Sequence, residues 1–123
     1  MDPRPQVGKN AEETAARYLQ RMGLRVVARN VRLPGGEIDV VCRDRDGWVF
    51  VEVKCRRARW GDAPGAAVSM TKQRRLVRLA RHYLKWKHLG EPRCRFDVVA
   101  VTLHEDGSTQ VQHIPSAFDA TGF

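Results

Sequence analysis

The chain reads as a single α+β domain in the order αβββαββ, a mixed sheet flanked by two helices. Three observations predict this. Residues 8–22 and 70–87 carry apolar side chains at helical spacing. Val- and Ile-rich segments separated by Gly, Pro and Asp lie between them. Arg95–Leu103 is apolar on both faces, as a strand buried within a sheet must be.

Taken in order, the first helix places Ala11, Ala15, Tyr18, Leu19 and Met22 on one stripe, with Gly23 as the residue that ends it. Glu12 sits at the edge of that stripe and is turned toward the sheet, where a carboxylate is costly without a partner. Glu13 falls on the opposite side, four residues before Arg17, in the favourable order for a surface ion pair. Leu24–Asn30 reads as the first strand, and Pro34-Gly35-Gly36 as the turn into the next. Gly36–Arg43 and Trp48–Lys54, joined by Asp44-Arg45-Asp46-Gly47, read as a hairpin in which Arg43 faces Trp48. Extending that register sets Val41 against Phe50, Asp39 against Glu52 and Glu37 against Lys54, all on one face. Ile38, Val40, Cys42, Val49, Val51 and Val53 then form the apolar face. The second helix, Met70 to Lys87, has Ser69 as N-cap and buries Leu76, Val77, Ala80, Tyr83 and Leu84. Lys72 prolongs that stripe toward the sheet. Arg95–Leu103 follows as a central strand, and Asp106-Gly107 turns into a short strand, Gln110–Ile114.

The hairpin carries the chemistry. Opposed residues have Cβ atoms about 5 Å apart, and two carboxylates at that distance repel by roughly 3 kcal/mol at an effective dielectric near 20. Lys54, solvent, a raised pKa or a divalent cation could offset this. Hard oxygen donors suit Mg²⁺ or Mn²⁺, and nothing here offers the clustered Cys and His that Zn²⁺ prefers. Charged residues alternating with Val are also what any solvated hairpin face shows, and a Glu-x-Lys tripeptide is common by chance. Glu12 can equally be a boundary residue of its helix.

Charge points to a partner. The net charge is +8, and from Lys54 to Arg95 there are thirteen Lys or Arg against Asp62 and Glu91. The excess falls on a loop, residues 55–65, that holds Arg56, Arg57, Arg59 and Trp60, and on the outer side of the second helix, with Arg74, Arg78 and Arg81. A one-signed face of this kind suits a polyanion, whereas solubility alone would be served by balanced charge. Nucleic acid is favoured over an anionic membrane, because the helix needs its apolar stripe for the core. No apolar run is long enough to span a bilayer and no signal-peptide pattern opens the chain, so a cytoplasmic protein, with nucleoid association open to it, is expected. Cys42, Cys55 and Cys94 lack metal or redox spacing and read as reduced structural thiols. At 123 residues and 42% hydrophobic content one compact domain spans the chain, with residues 1–7 and 115–123 expected to be loosely ordered ends.

Asp39 followed after twelve residues by Glu52-Val53-Lys54, with a helical glutamate upstream, resembles the PD-(D/E)xK nuclease signature, with Ile38 where the superfamily name has Pro. More closely, Glu12-x-x-Ala15-x-x-Tyr18-Leu19, Asn30, Gly36-Glu37-Ile38-Asp39, Val49 to Lys54 with Arg56-Arg57, Lys72, Ala80-x-x-Tyr83-Leu84 and Arg95 to Val99 are similar to the YraN family. These are small bacterial proteins regarded as akin to archaeal Holliday-junction resolvases. The resemblance covers about residues 8–114. It implies a restriction-endonuclease-like αβββαβ core with a small C-terminal hairpin strand, and hydrolysis of DNA, in preference to RNA, at branched structures. It assigns Asp39, Glu52 and the Val53 carbonyl to Mg²⁺ or Mn²⁺, with Glu12 completing the site. Lys54 positions or deprotonates the attacking water, Lys72 with the basic residues grips phosphates, and Glu37, facing Lys54 across the hairpin, orients it or forms a plain cross-strand ion pair. It also implies pairing into a homodimer. A nucleic-acid-binding module without turnover and a protein-interaction adaptor are the alternatives. Metal-dependent cleavage separates the nuclease from the module, and the salt dependence of nucleic-acid binding separates both from the adaptor.

Overall fold

A computed structural model describes residues 4–58 and 68–120, with side chains from Asn10 onward. Its elements are α1 (Arg4–Arg21), β1 (Arg25–Leu33), β2 (Gly36–Arg43), β3 (Trp48–Arg57), α2 (Met70–Trp86), β4 (Cys94–Leu103) and β5 (Thr109–Phe118). This is the expected αβββαββ order. Several bounds differ from expectation. α1 begins at Arg4, within the end expected to be loose, and β5 continues past Pro115 to Phe118. β3 extends through Arg57, so Arg56 and Arg57 belong to a strand rather than to a loop. The expected Arg59 and Trp60 contacts lie outside the described residues, as do residues 1–3 and 121–123 of the two ends.

The five strands lie in the order β1-β2-β3-β4-β5. β3 and β4 run parallel through the α2 crossover, and every other neighbouring pair is antiparallel. The helices cover opposite faces. Ala11, Ala15 and Leu19 of α1 pack on Val40, Cys42, Val49, Val51, Val99 and Val101. Leu76, Val77, Leu79, Ala80 and Tyr83 of α2 pack on Ile38, Val41, Trp48, Phe50 and Phe96. The hairpin therefore buries residues on both of its faces, and it is partly open where the acids lie. No helix among the described residues is long and apolar enough to cross a membrane.

Local chemistry explains the ends of these elements. Gly23, at φ +94, closes α1: its N–H donates to the Gln20 carbonyl, and the Leu24 N–H donates to that of Leu19. Leu24 and Leu19 share a cluster, the apolar contact that accompanies this type of helix ending. The Ser69 hydroxyl caps α2 by accepting the Lys72 N–H at 3.2 Å. In the β2–β3 turn the Asp44 carboxylate accepts the N–H groups of Asp46 and Gly47, each at 2.8 Å, and Arg43 pairs with Trp48 as expected.

The expected hairpin register holds from Arg43↔Trp48 to Val40↔Val51 and stops there. Asp39↔Glu52 and Glu37↔Lys54 are not rungs of the ladder. Ile38 also leaves the face assigned to it, packing with Val41 on the α2 side while Val40 faces α1. Residues three apart share a face in β1 as well, where Ala28 and Val31 both meet the α2 cluster. The cause is backbone. Asn30 has φ +51, a left-handed conformation in mid-strand, and with Asp39 it falls between the rungs Arg29↔Val40 and Val31↔Ile38. One residue of that conformation upsets the period-two alternation of β1, and β2 changes phase beside it.

Candidate metal centre

The interrupted ladder shapes the site. With no rung beyond Val40↔Val51, the Val53 N–H takes the Asp39 carboxylate as its acceptor, at 2.8 Å. Glu12 reaches the same place from α1, and Glu37 from two residues earlier in β2. One ligand oxygen from each of Glu12, Glu37 and Asp39 lies within 4.8 Å of the others, and all three residues are half-buried. Asn30 links two of them: its side-chain N–H₂ donates to Glu12 Oε2 and, at 2.9 Å, to Glu37 Oε1.

The electrostatics are those of unmatched negative charge. Asp39 is pushed up from 3.8 to about 7, first by burial and next by the Glu52 charge. Glu12 and Glu37 add to the rise, and the Val53 N–H opposes it. Glu52 is also raised, chiefly by burial, while Lys72, Arg75 and Lys54 pull it down and Glu12 pushes it up. Burial and like charge thus disfavour ionisation of Asp39, and cations border Glu52.

Of the residues singled out in the sequence, Glu12, Glu37 and Asp39 converge. Glu52 lies beyond that trio but couples to Asp39 and Glu12 through charge. Glu37, expected to face Lys54, instead pairs in the ladder with Arg32 of β1. Its carboxylate meets Asn30 Nδ2, and Arg32 Nε at 3.8 Å. Glu13 forms the expected surface pair with Arg17 at 3.1 Å. Lys72 is exposed at the start of α2, and its charge bears on Glu52. Arg74, Arg78 and Arg81 are exposed along α2. Arg56 is half-buried, and its Nε donates to Thr102 Oγ1 at 3.3 Å, which ties it to the sheet.

Two residues of the site were not anticipated in their roles. Arg75, which flanks the basic face of α2, lies over the start of β2. A Cβ on Gly36 would stand 3.5 Å from its Cδ and 3.3 Å from Leu79, so the missing side chain at Gly36 lets α2 approach. The signal was in the sequence, because Arg75 lies one helical step beyond Lys72. Asn30 enters the sequence reading only through the family resemblance. Its signal was the apolar pair Ala28 and Val31, three apart where a strand alternates by two. A cavity of about 620 Å³ lies elsewhere, against the C-terminal half of α2 with Phe96 in its wall and Glu91 as its one acid. It has no part in this chemistry.

Comparison with known proteins agrees with the family resemblance read from the sequence. Residues 11–101 match the family described as "Uncharacterised protein family UPF0102". A UPF0102 protein of Symbiobacterium thermophilum is 48% identical over 114 residues, 93% of this chain and 97% of its own length. Another from Dechloromonas aromatica is 51% identical over 116 residues, 92% of this chain and 88% of its own. Among solved structures, Pyrococcus furiosus SfsA in complex with Ca²⁺ aligns at a TM-score of 0.43 and 21% identity. That alignment covers 90% of this chain, which spans 63% of the SfsA chain.

Proposed function

The chain belongs to the UPF0102 family, the YraN proteins, and from the site it carries we propose that it is a metal-dependent endonuclease hydrolysing DNA phosphodiester bonds, with branched DNA as substrate. The observation that carries this reading is the acidic cluster around Asp39. Its carboxyl is raised to about 7 by burial, by Glu52 and by two more acids. Such a cluster costs stability unless a cation joins it, and hard oxygen donors within 4.8 Å of one another fit Mg²⁺ or Mn²⁺. A divalent ion bound there would acidify a water, polarise the phosphoryl oxygen and offset charge at the leaving oxygen.

Asp39 and Glu52 are the principal ligands in this reading, Glu12 holds the ion or its water, and Glu37 lies close enough to add an oxygen. Along a strand, the N–H and C=O of one residue point to the same edge. Val53, whose N–H meets Asp39, therefore directs its carbonyl into the same opening as a further oxygen donor. Lys54, one position on, keeps its ammonium near Glu52 and is the group to orient or deprotonate the attacking water. Arg75 and Lys72 present positive charge beside Glu52, where a bound phosphate would lie. The Arg74, Arg78 and Arg81 face of α2 would track the nucleic-acid backbone. The test is incubation of pure protein with linear, flapped, single-stranded and four-way DNA in Mg²⁺, Mn²⁺ or EDTA. Cleavage in either metal, strongest on branched DNA and abolished by EDTA, is expected. Folded protein that cuts none of these substrates in either metal refutes the proposal.

A further inference from the structure

We infer that Asn30 is a positioning residue, whose amide holds Glu12 and Glu37 together for metal capture; the inference rests on the metal-dependent reading above. Asn30 does two separable things. Its backbone, at φ +51, interrupts strand alternation beside Asp39. Its side chain donates to Glu12 Oε2 from α1 and to Glu37 Oε1 from β2. An amide nitrogen carries two hydrogens, one for each carboxylate, which leaves each carboxylate its second oxygen, that of Glu37 with the largely exposed Arg32 guanidinium at 3.8 Å.

The choice of donor matters. Two glutamates drawn to one point repel, and Lys or Arg in the same place would hold them by cancelling the charge that attracts a cation. A neutral amide holds the geometry and leaves the negative potential in place. Asn also adopts a left-handed backbone more readily than other non-glycine residues, so one residue type meets both demands. Groups that orient metal ligands in this way change metal affinity by about 10–100-fold when removed.

Glycine separates the two roles, since Asn30→Gly keeps access to φ +51 and deletes the amide. Calorimetric titration of the DNA-free protein with Mn²⁺ is expected to show affinity about 10-fold or more weaker in Asn30→Gly than in the parent. The metal-free melting temperature should stay close to the parental one. In a Glu37→Gln background the same substitution should cost less affinity, because the carboxylate it orients is gone. Equal Mn²⁺ affinity in parent and Asn30→Gly overturns the inference while leaving the metal site standing. Loss of folding in Asn30→Gly also overturns it, by making the amide structural. A parent that binds no Mn²⁺ removes the metal reading itself, and this inference with it.

Discussion

Two aspartates in the sheet show how differently two buried acids can be matched by their neighbours. Asp97 in β4 is fully buried, and every approach to its carboxylate is filled. Arg95 Nε donates to it at 3.0 Å, His113 Nε2 at 2.8 Å and the Ser116 N–H at 3.0 Å. Arg95 also reaches Asp44 at 3.3 Å, and the Tyr18 ring stands edge-on to His113 at 5.5 Å. Asp39 in β2, separated from β4 by β3, is less buried but has one N–H donor and three acidic neighbours. Both acids lie at ladder irregularities, Asp97 where the register shifts between Phe96 and Val98. Burial alone therefore does not decide which acid carries unmatched charge. The matched acid stabilises the fold, and the unmatched one stores repulsion that a cation can relieve.

The contrast can be broken most severely at Asp97. Asp97→Ala leaves Arg95 and His113 without their shared anion and should destabilise the protein by about 3–5 kcal/mol in urea denaturation. A loss below about 1 kcal/mol would mean that the network is not structural. On the reactive side, Lys54→Ala should lower turnover by about 10²–10⁴-fold, the range of a general acid–base group, while calorimetric Mn²⁺ affinity stays near parental because an ammonium is not a ligand. Lost Mn²⁺ affinity in that variant would contradict the role given to Lys54.

The pH dependence sharpens the comparison further. With Asp39 near 7 in the fold and 3.8 as its ordinary value, the folded protein keeps a proton that the unfolded chain has lost between about pH 4 and 7. This contribution to stability is present below pH 4, declines as pH rises through the window and levels off above about 7. At 1.36 kcal/mol per pH unit, halved for partial solvent access, it amounts to roughly 2 kcal/mol. Metal-free Asp39→Asn should lack this decline, and the difference between the parent and variant stability curves isolates it from other titrating groups. Parallel curves would rule it out. The smallest effect is expected at the basic face. Replacing Arg74 and Arg78 together should weaken binding to all DNA sequences about equally and reduce the salt slope by roughly 1 to 2. An unchanged slope would take this face out of the interface and favour an acidic protein partner.

Much of the fold was legible because it rests on local rules. Gly23 ends α1, Ser69 caps α2, and Asp44 and Gly47 form the turn that pairs Arg43 with Trp48, each read from neighbouring residues. The split between Glu12 and Glu13 followed from helical spacing. The failures cluster around Asn30. Period two carries the register past Val40↔Val51 only if every residue stays extended, and the single local hint that Asn30 turns left-handed is the three-residue spacing of Ala28 and Val31. Glu37 was read across the hairpin toward Lys54, whereas its partners come from β1. The Asp97–His113 pair was invisible for another reason, because it joins two strands through a register shift that no short motif encodes.

The most direct test of the contrast is thermal melting of parent and Asp39→Asn at pH 8, each in EDTA and in saturating Mn²⁺. Asn keeps an oxygen to accept the Val53 N–H but removes the charge. In EDTA the variant should melt above the parent. In Mn²⁺ the parent should gain and the variant should not, so that the order narrows or reverses. An Asp39→Asn protein that melts below the parent in EDTA, or that gains as much from Mn²⁺, would show Asp39 to be a structural acid like Asp97 and contradict the account.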